Sequence, residues 1–78
     1  MNQKIKLIWD FKGNDAKKIA EHHQVHLEEF WAKEKILTLD FGVEEISNIH
    51  FIAFVIVYES QVIIIRDALL PNRAVIVK

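Results

Sequence analysis

The run Phe51-Ile52-Ala53-Phe54-Val55-Ile56-Val57-Tyr58 limits this chain more than any other stretch. Both alternating sets of side chains are apolar, and β-branched and aromatic residues dominate, which favours a strand. A strand apolar on both sides is central and covered on both faces. The run is far too short to cross a bilayer as a helix. The rest of the chain therefore has to supply a sheet around it and at least one covering layer.

Two other stretches alternate. In residues 4–11, Ile5, Leu7, Trp9 and Phe11 face one way and Lys4, Lys6 and Asp10 the other, with Ile8 as the exception. This predicts a strand with one buried face. In residues 36–41, Leu37, Leu39 and Phe41 alternate with Thr38 and Asp40 and predict a second strand. Residues 42–48 are polar and irregular, with the turn expected at Ser47-Asn48. Residues 74–77 form a short last strand.

Residues 14–35 have the period of a helix. Ala16, Ile19, Ala20, His23, Leu27, Phe30 and Trp31 share one stripe at about 100° per residue, and the charged residues fall mostly elsewhere. Gly13-Asn14-Asp15 starts it, with Asn14 or Asp15 as the expected cap. Its end is expected at 33–35, where basic residues suit the negative end of the helix. Residues 60–70 are open to two readings. Val62 to Ile65 favours a strand, and a hairpin at Glu59-Ser60 would follow. Ser60 as a cap, Arg66-Asp67-Ala68-Leu69-Leu70 and the following Pro71 favour a helix, which is the reading adopted.

The order is then strand, helix, strand, strand, helix, strand. This α+β order is that of the ferredoxin-like βαββαβ arrangement, a four-stranded antiparallel sheet with both helices on one face. It predicts that one apolar set of the 51–58 strand lies uncovered, an apolar patch that monomers seldom expose. A homodimer through that sheet face is the simplest cover.

At 78 residues the chain is expected to form one domain, 1–78. It has no cysteine, so neither a disulfide nor a thiolate metal site is available. Its hydrophobic content of 51% is rich for so small a chain and again points to association. A net charge of −1 lacks the electrostatic footprint of a nucleic-acid binder, and the 51–58 strand has no Lys or Arg of the kind an RNA recognition motif carries there. Met1-Asn2-Gln3-Lys4 runs into alternating residues without the apolar core of a signal peptide. The expectation is a cytoplasmic protein that binds no membrane. There is no Gly-rich phosphate loop, nucleophile elbow or paired-carboxylate motif, so no cofactor is expected.

Histidines supply the candidate chemistry. His22 and His26 stack on one flank of the helix with Glu29 beyond them, a spacing suited to zinc or another borderline metal; the plain alternative is a solvated, acid-lined flank. The metalloprotease helix motif is excluded, because His23 rather than Glu follows His22. His23 lies on the apolar stripe, either as a buried, hydrogen-bonded core histidine or as a general base lining a pocket; His23 and His26 are the catalytic candidates. His50 opens the third strand and would add a ligand if it came near. Trp9 and Asp10 are ligand-binding candidates with His50, the plain reading of Trp9, as of Trp31, being core or interface filling. Arg66 and Arg73, either side of Leu70-Pro71-Asn72, suit bidentate binding of an anionic ligand; the plain alternative is surface solvation or salt bridges within a dimer.

His23-x-x-His26-Leu27 followed by the 36–41 strand resembles YciI-like proteins of the dimeric α/β-barrel group, over residues 20–42. The resemblance implies two ferredoxin-like sheets paired face to face. The chain departs from that pattern at Asp40-Phe41-Gly42, where Gly-Pro is expected, and in its short third-strand loop and second helix, so no catalytic role is carried over. The Trp9-Asp10-Phe11 start and residues 66–73 fit no family pattern. Two functions follow: a small homodimeric ligand- or partner-binding module, or a small His-dependent enzyme or metal-binding protein using His22, His23 and His26.

Overall fold

A computed structural model describes residues 3–77; the reading of Met1 and Asn2 lies outside the described residues. In chain order the elements are β1 (Lys4–Lys12), α1 (Ala16–Glu34), β2 (Asp40–Ser47), β3 (His50–Tyr58), a 3-10 turn (Glu59–Gln61), α2 (Val62–Leu69) and β4 (Arg73–Val77). The four strands form one sheet in the order β2-β3-β1-β4, and every neighbouring pair is antiparallel. The chain is thus α+β with two helices and a four-stranded antiparallel sheet. Among the described residues no helix is long and apolar enough to cross a membrane.

The 51–58 run is central, as its composition demands: β3 pairs with β1 on one side and β2 on the other. Ile5, Leu7 and Trp9 of β1 and Ala53, Val55 and Val57 of β3 form the main core with Leu27 and Trp31 of α1 and Ile65 of α2. The opposite face holds a smaller cluster of strand residues alone: Ile8, Ile52 and Phe54, with Ile56 packed against them.

Three expectations need correction. β2 begins at Asp40 and runs through residues expected to be a loop. β3 is long, and its outer hydrogen-bonding groups need a partner of similar length; that demand overrides the weak local pattern of 42–47. Leu37 is left exposed before the strand, while the Leu39 N–H donates to the Ile56 carbonyl at 2.8 Å. Gly42 is tolerated inside β2 because the Phe54 ring lies over it, 3.4 Å from where a Cβ would stand. The hairpin turns at residues 48–49, and the Ile49 N–H donates to Ser47 Oγ at 3.3 Å.

The second correction is the phase of α1. Its buried residues are Ala16, Ala20, Gln24, Leu27 and Trp31, while Ile19 is exposed. The stripe is turned by about 40° from the expected one, at 100° per residue. On this turned face Trp31 lies near Phe41 of β2, ring centroids 6.1 Å apart.

The third concerns the caps. Asp15, the N-cap of α1, makes no side-chain cap bond, and the cap positions of the 3-10 turn and of α2 fall on Tyr58 and Gln61 rather than on Ser60. Gly13 shapes the first turn instead. Its φ of +118° suits glycine alone, its N–H donates to the Ile49 carbonyl at 2.7 Å, and its carbonyl accepts from Ala16. Residues 62–69 are helical, so the β-branched run yields to the needs of the crossover from β3 to β4. Both helices stop in the left-handed conformation, at Lys35 and Leu70, where a backbone N–H returns to the last turn.

Candidate functional site

Strand alternation sends Lys6, Ile8, Asp10 and Lys12 of β1 to the face opposite the main core. The register sets Ile52 beside Asp10, His50 beside Lys12, and Arg73 of β4 beside Ile8. Three side chains from three strands meet there. Arg73 grips the Asp10 carboxylate with two prongs, Nε to Oδ2 and Nη2 to Oδ1, both 3.0 Å. His50 Nε2 lies 2.8 Å from Oδ1 of the same carboxylate. The Asp10 N–H donates to Asn72 Oδ1 at 2.7 Å, and the Asn72 N–H to the Ile8 carbonyl at 2.9 Å, so residues 72 and 73 are both bound to β1. Asp10 and His50 side chains are 20% exposed and that of Arg73 is 49% exposed. The Arg73 hydrogen bonds, with those of His50 and against the cost of burial, hold the Asp10 carboxyl below its ordinary range; Asp10 in turn raises the Arg73 guanidinium above its own.

A second ion pair crosses the same face. Lys6 Nζ reaches over β3 to Glu44 Oε1 of β2 at 2.8 Å and passes 4.4 Å from the centroid of the Phe54 ring. Together the two groups roof the apolar trio. Ile8, Ile52 and Phe54 are only 4%, 2% and 8% exposed, although the alternation of β3 suggests that one of its sets should lie bare. That expectation is corrected for Ile52 and Phe54 alone: Lys6 passes over the Phe54 ring, as a long Lys side chain does while keeping its charge in water, whereas Ile56 and Tyr58 of the same set stay partly exposed. The apolar side chains that stay at least partly exposed on this face include Ile56, Tyr58, Val75 and Val77.

Three of the five ligand-binding candidates, Asp10, His50 and Arg73, are therefore brought together. Trp9 and Arg66 are not part of the group. Trp9 points into the main core, where its indole N–H donates to the Leu69 carbonyl at 2.9 Å. Arg66 lies exposed beside Asp67, Nε to Oδ1 3.3 Å.

The two catalytic candidates on α1 occupy different surroundings. His23 is half-buried between Trp9 and Phe11, ring centroids 5.5 and 5.3 Å away, and its Nε2 is buried without a partner. Burial first, and then the nearby His26 and His22, pushes its pKa below the usual imidazole value. His26 lies on the exposed flank beside His22, Nε2 to Nε2 3.1 Å. No cavity opens between or beside them among the described residues. Glu29 approaches the other nitrogen of His26, Nδ1 to Oε1 3.4 Å, on the far side of the ring from His22. The expected three-ligand metal set of His22, His26 and Glu29 thus does not converge on one point, and among the described residues no group of three His, Asp or Glu is placed to hold an ion.

Sequence reasoning did not find Asn72, Glu44 or Gln24. The first two act across 62 and 38 residues and leave no local signal. Gln24 is 7% exposed in the α1 core face, with neither amide atom partnered. Only the true phase of the helix reveals it.

Comparison of the chain with family models, with curated proteins and with solved structures returned no match.

Proposed function

We propose that this chain is a ferredoxin-like binding module of the dimeric α/β-barrel kind, which takes a small anionic ligand, or an anionic group of a partner, on the helix-free face of its sheet. The element order, the strand order β2-β3-β1-β4 and the sharing of one core by Leu27, Trp31 and Ile65 support the fold reading. The Asp10–His50–Arg73 group carries the functional reading. A guanidinium and an imidazole converge on one carboxylate, and the half-exposed guanidinium keeps N–H groups that Asp10 does not use. Asp10 holds Arg73 in place in advance, which lowers the entropic cost of capturing an anion. Lys12, next to His50 in the register, adds positive charge. No nucleophile joins the group, which favours binding over catalysis.

A second copy is the partner that this reading places on the same face, with the exposed parts of Ile56 and Val75 at the contact. The decisive experiment titrates isotope-labelled protein with inorganic phosphate and follows the Arg73 side-chain N–H and His50 ring signals. Saturable shifts that vanish in Arg73→Ala support the reading; shifts absent, or unchanged in that variant, reject it. Sedimentation at micromolar concentration tests the dimer. Conversion of a dimer to a monomer by Ile56→Glu supports the sheet-face contact, and a monomeric unmodified chain rejects it.

A further inference from the structure

We infer that His22 and His26 form a two-histidine chelate for a borderline divalent cation (Cu2+, Ni2+ or Zn2+), with Glu29 acting from behind His26 rather than as a ligand. Four residues apart on a continuous helix, the two rings stand one above the other, and their Nε2 atoms are 3.1 Å apart. With metal–nitrogen bonds of about 2.0–2.1 Å, that separation subtends roughly 100° at the ion. This lies between the right angle of a square-planar site and the tetrahedral angle, so both geometries are within reach of small side-chain rotations. Water completes the coordination shell, because the flank is open; the His26 side chain is 61% exposed.

The free protein already shows the competition between the two nitrogens. At 3.1 Å one Nε2 must donate a proton to the other. When the ion enters, the donor ring shifts its proton to Nδ1 and both Nε2 lone pairs face the metal, with no net proton change. Glu29, 3.4 Å from His26 Nδ1, favours that tautomer; a carboxylate behind a ligating histidine orients the ring and raises its basicity. The remaining histidines offer less. His23 Nε2 is buried against the core, and His50 Nε2 is engaged by Asp10. Cu2+ should bind best, following the general order for nitrogen sites. The site is local to one helix and distant in sequence from Asp10 and Arg73, so its failure would leave the sheet-face reading untouched.

The test is calorimetric titration of the full chain with CuCl2, then NiCl2 and ZnCl2, beside His22→Ala, His26→Ala and Glu29→Gln. Alanine favours helix at these outward positions, and circular dichroism checks that each variant folds. The expected result is saturable one-to-one binding with Cu2+ tightest. Each alanine variant should weaken it by about a hundredfold through loss of the chelate, and Glu29→Gln by about tenfold. Saturation absent at millimolar Cu2+, or either alanine variant binding like the unmodified chain, overturns the inference.

Discussion

Arg73 holds Asp10 by two hydrogen bonds of 3.0 Å across the β1–β4 boundary, 63 residues apart in sequence. The tie adds to the β1–β4 ladder in holding β4, a short edge strand of five residues most of whose side chains are exposed. Asp10→Asn keeps the shape of the side chain and removes its charge. In a group this open to solvent the cost is about 1 kcal/mol at neutral pH. The carboxyl titrates below its ordinary 3.8 in the folded chain, so the contribution is fully present above pH 3.8 and is lost as pH falls through the folded value. Urea denaturation of both forms should therefore show a gap at pH 7 that narrows below pH 3.8. A gap independent of pH would mean that the charge plays no part.

Lys6 acts on Phe54 more through its methylenes than through its charge. Lys6→Met, which keeps the stem and loses the pair with Glu44, should change stability by less than about 0.5 kcal/mol. Lys6→Ala uncovers Phe54 and should cost about 1 kcal/mol through lost burial and the lost cation–ring contact. Equal effects of the two substitutions in chemical denaturation would refute the roofing role.

His23 is a polar group with an unpartnered buried nitrogen, so His23→Leu should raise stability by about 1 kcal/mol at pH 8. The gain should grow on acidification. The folded imidazole titrates below 6.5, so as pH falls under 6.5 the unfolded chain takes up the proton first and the unmodified protein loses stability; the leucine variant has no such loss. Melting curves at pH 8 and pH 5 check this. A leucine variant less stable at both would show that His23 has a partner essential to the fold.

Local periodicity in the sequence was enough for the class of the fold. The 51–58 run has no solution but a central strand, and the spacing of Ala16, Ala20, Leu27 and Trp31 none but a helix with one buried face. Pro71 and the residues before it were enough to choose a helix over a hairpin at 60–70, although the cap expected at Ser60 is not made. These features depend on neighbours a few residues away, which a sequence displays directly.

Only tertiary structure decided the rest. The extent of β2 was set by the hydrogen-bonding needs of β3, and the phase of α1 by how the helix packs on the sheet, which buries Gln24 in place of Ile19. Asp10, His50 and Arg73 each stood out as residue types with chemistry to offer, yet their meeting depends on a register that joins β3, β1 and β4. Conversely, the spacing of His22, His26 and Glu29 suggested a common focus that side-chain direction denied, since Glu29 reaches the opposite nitrogen of His26. A period assigns a residue to a face; where its atoms point, and which distant residue meets them, depends on packing between elements far apart in the chain.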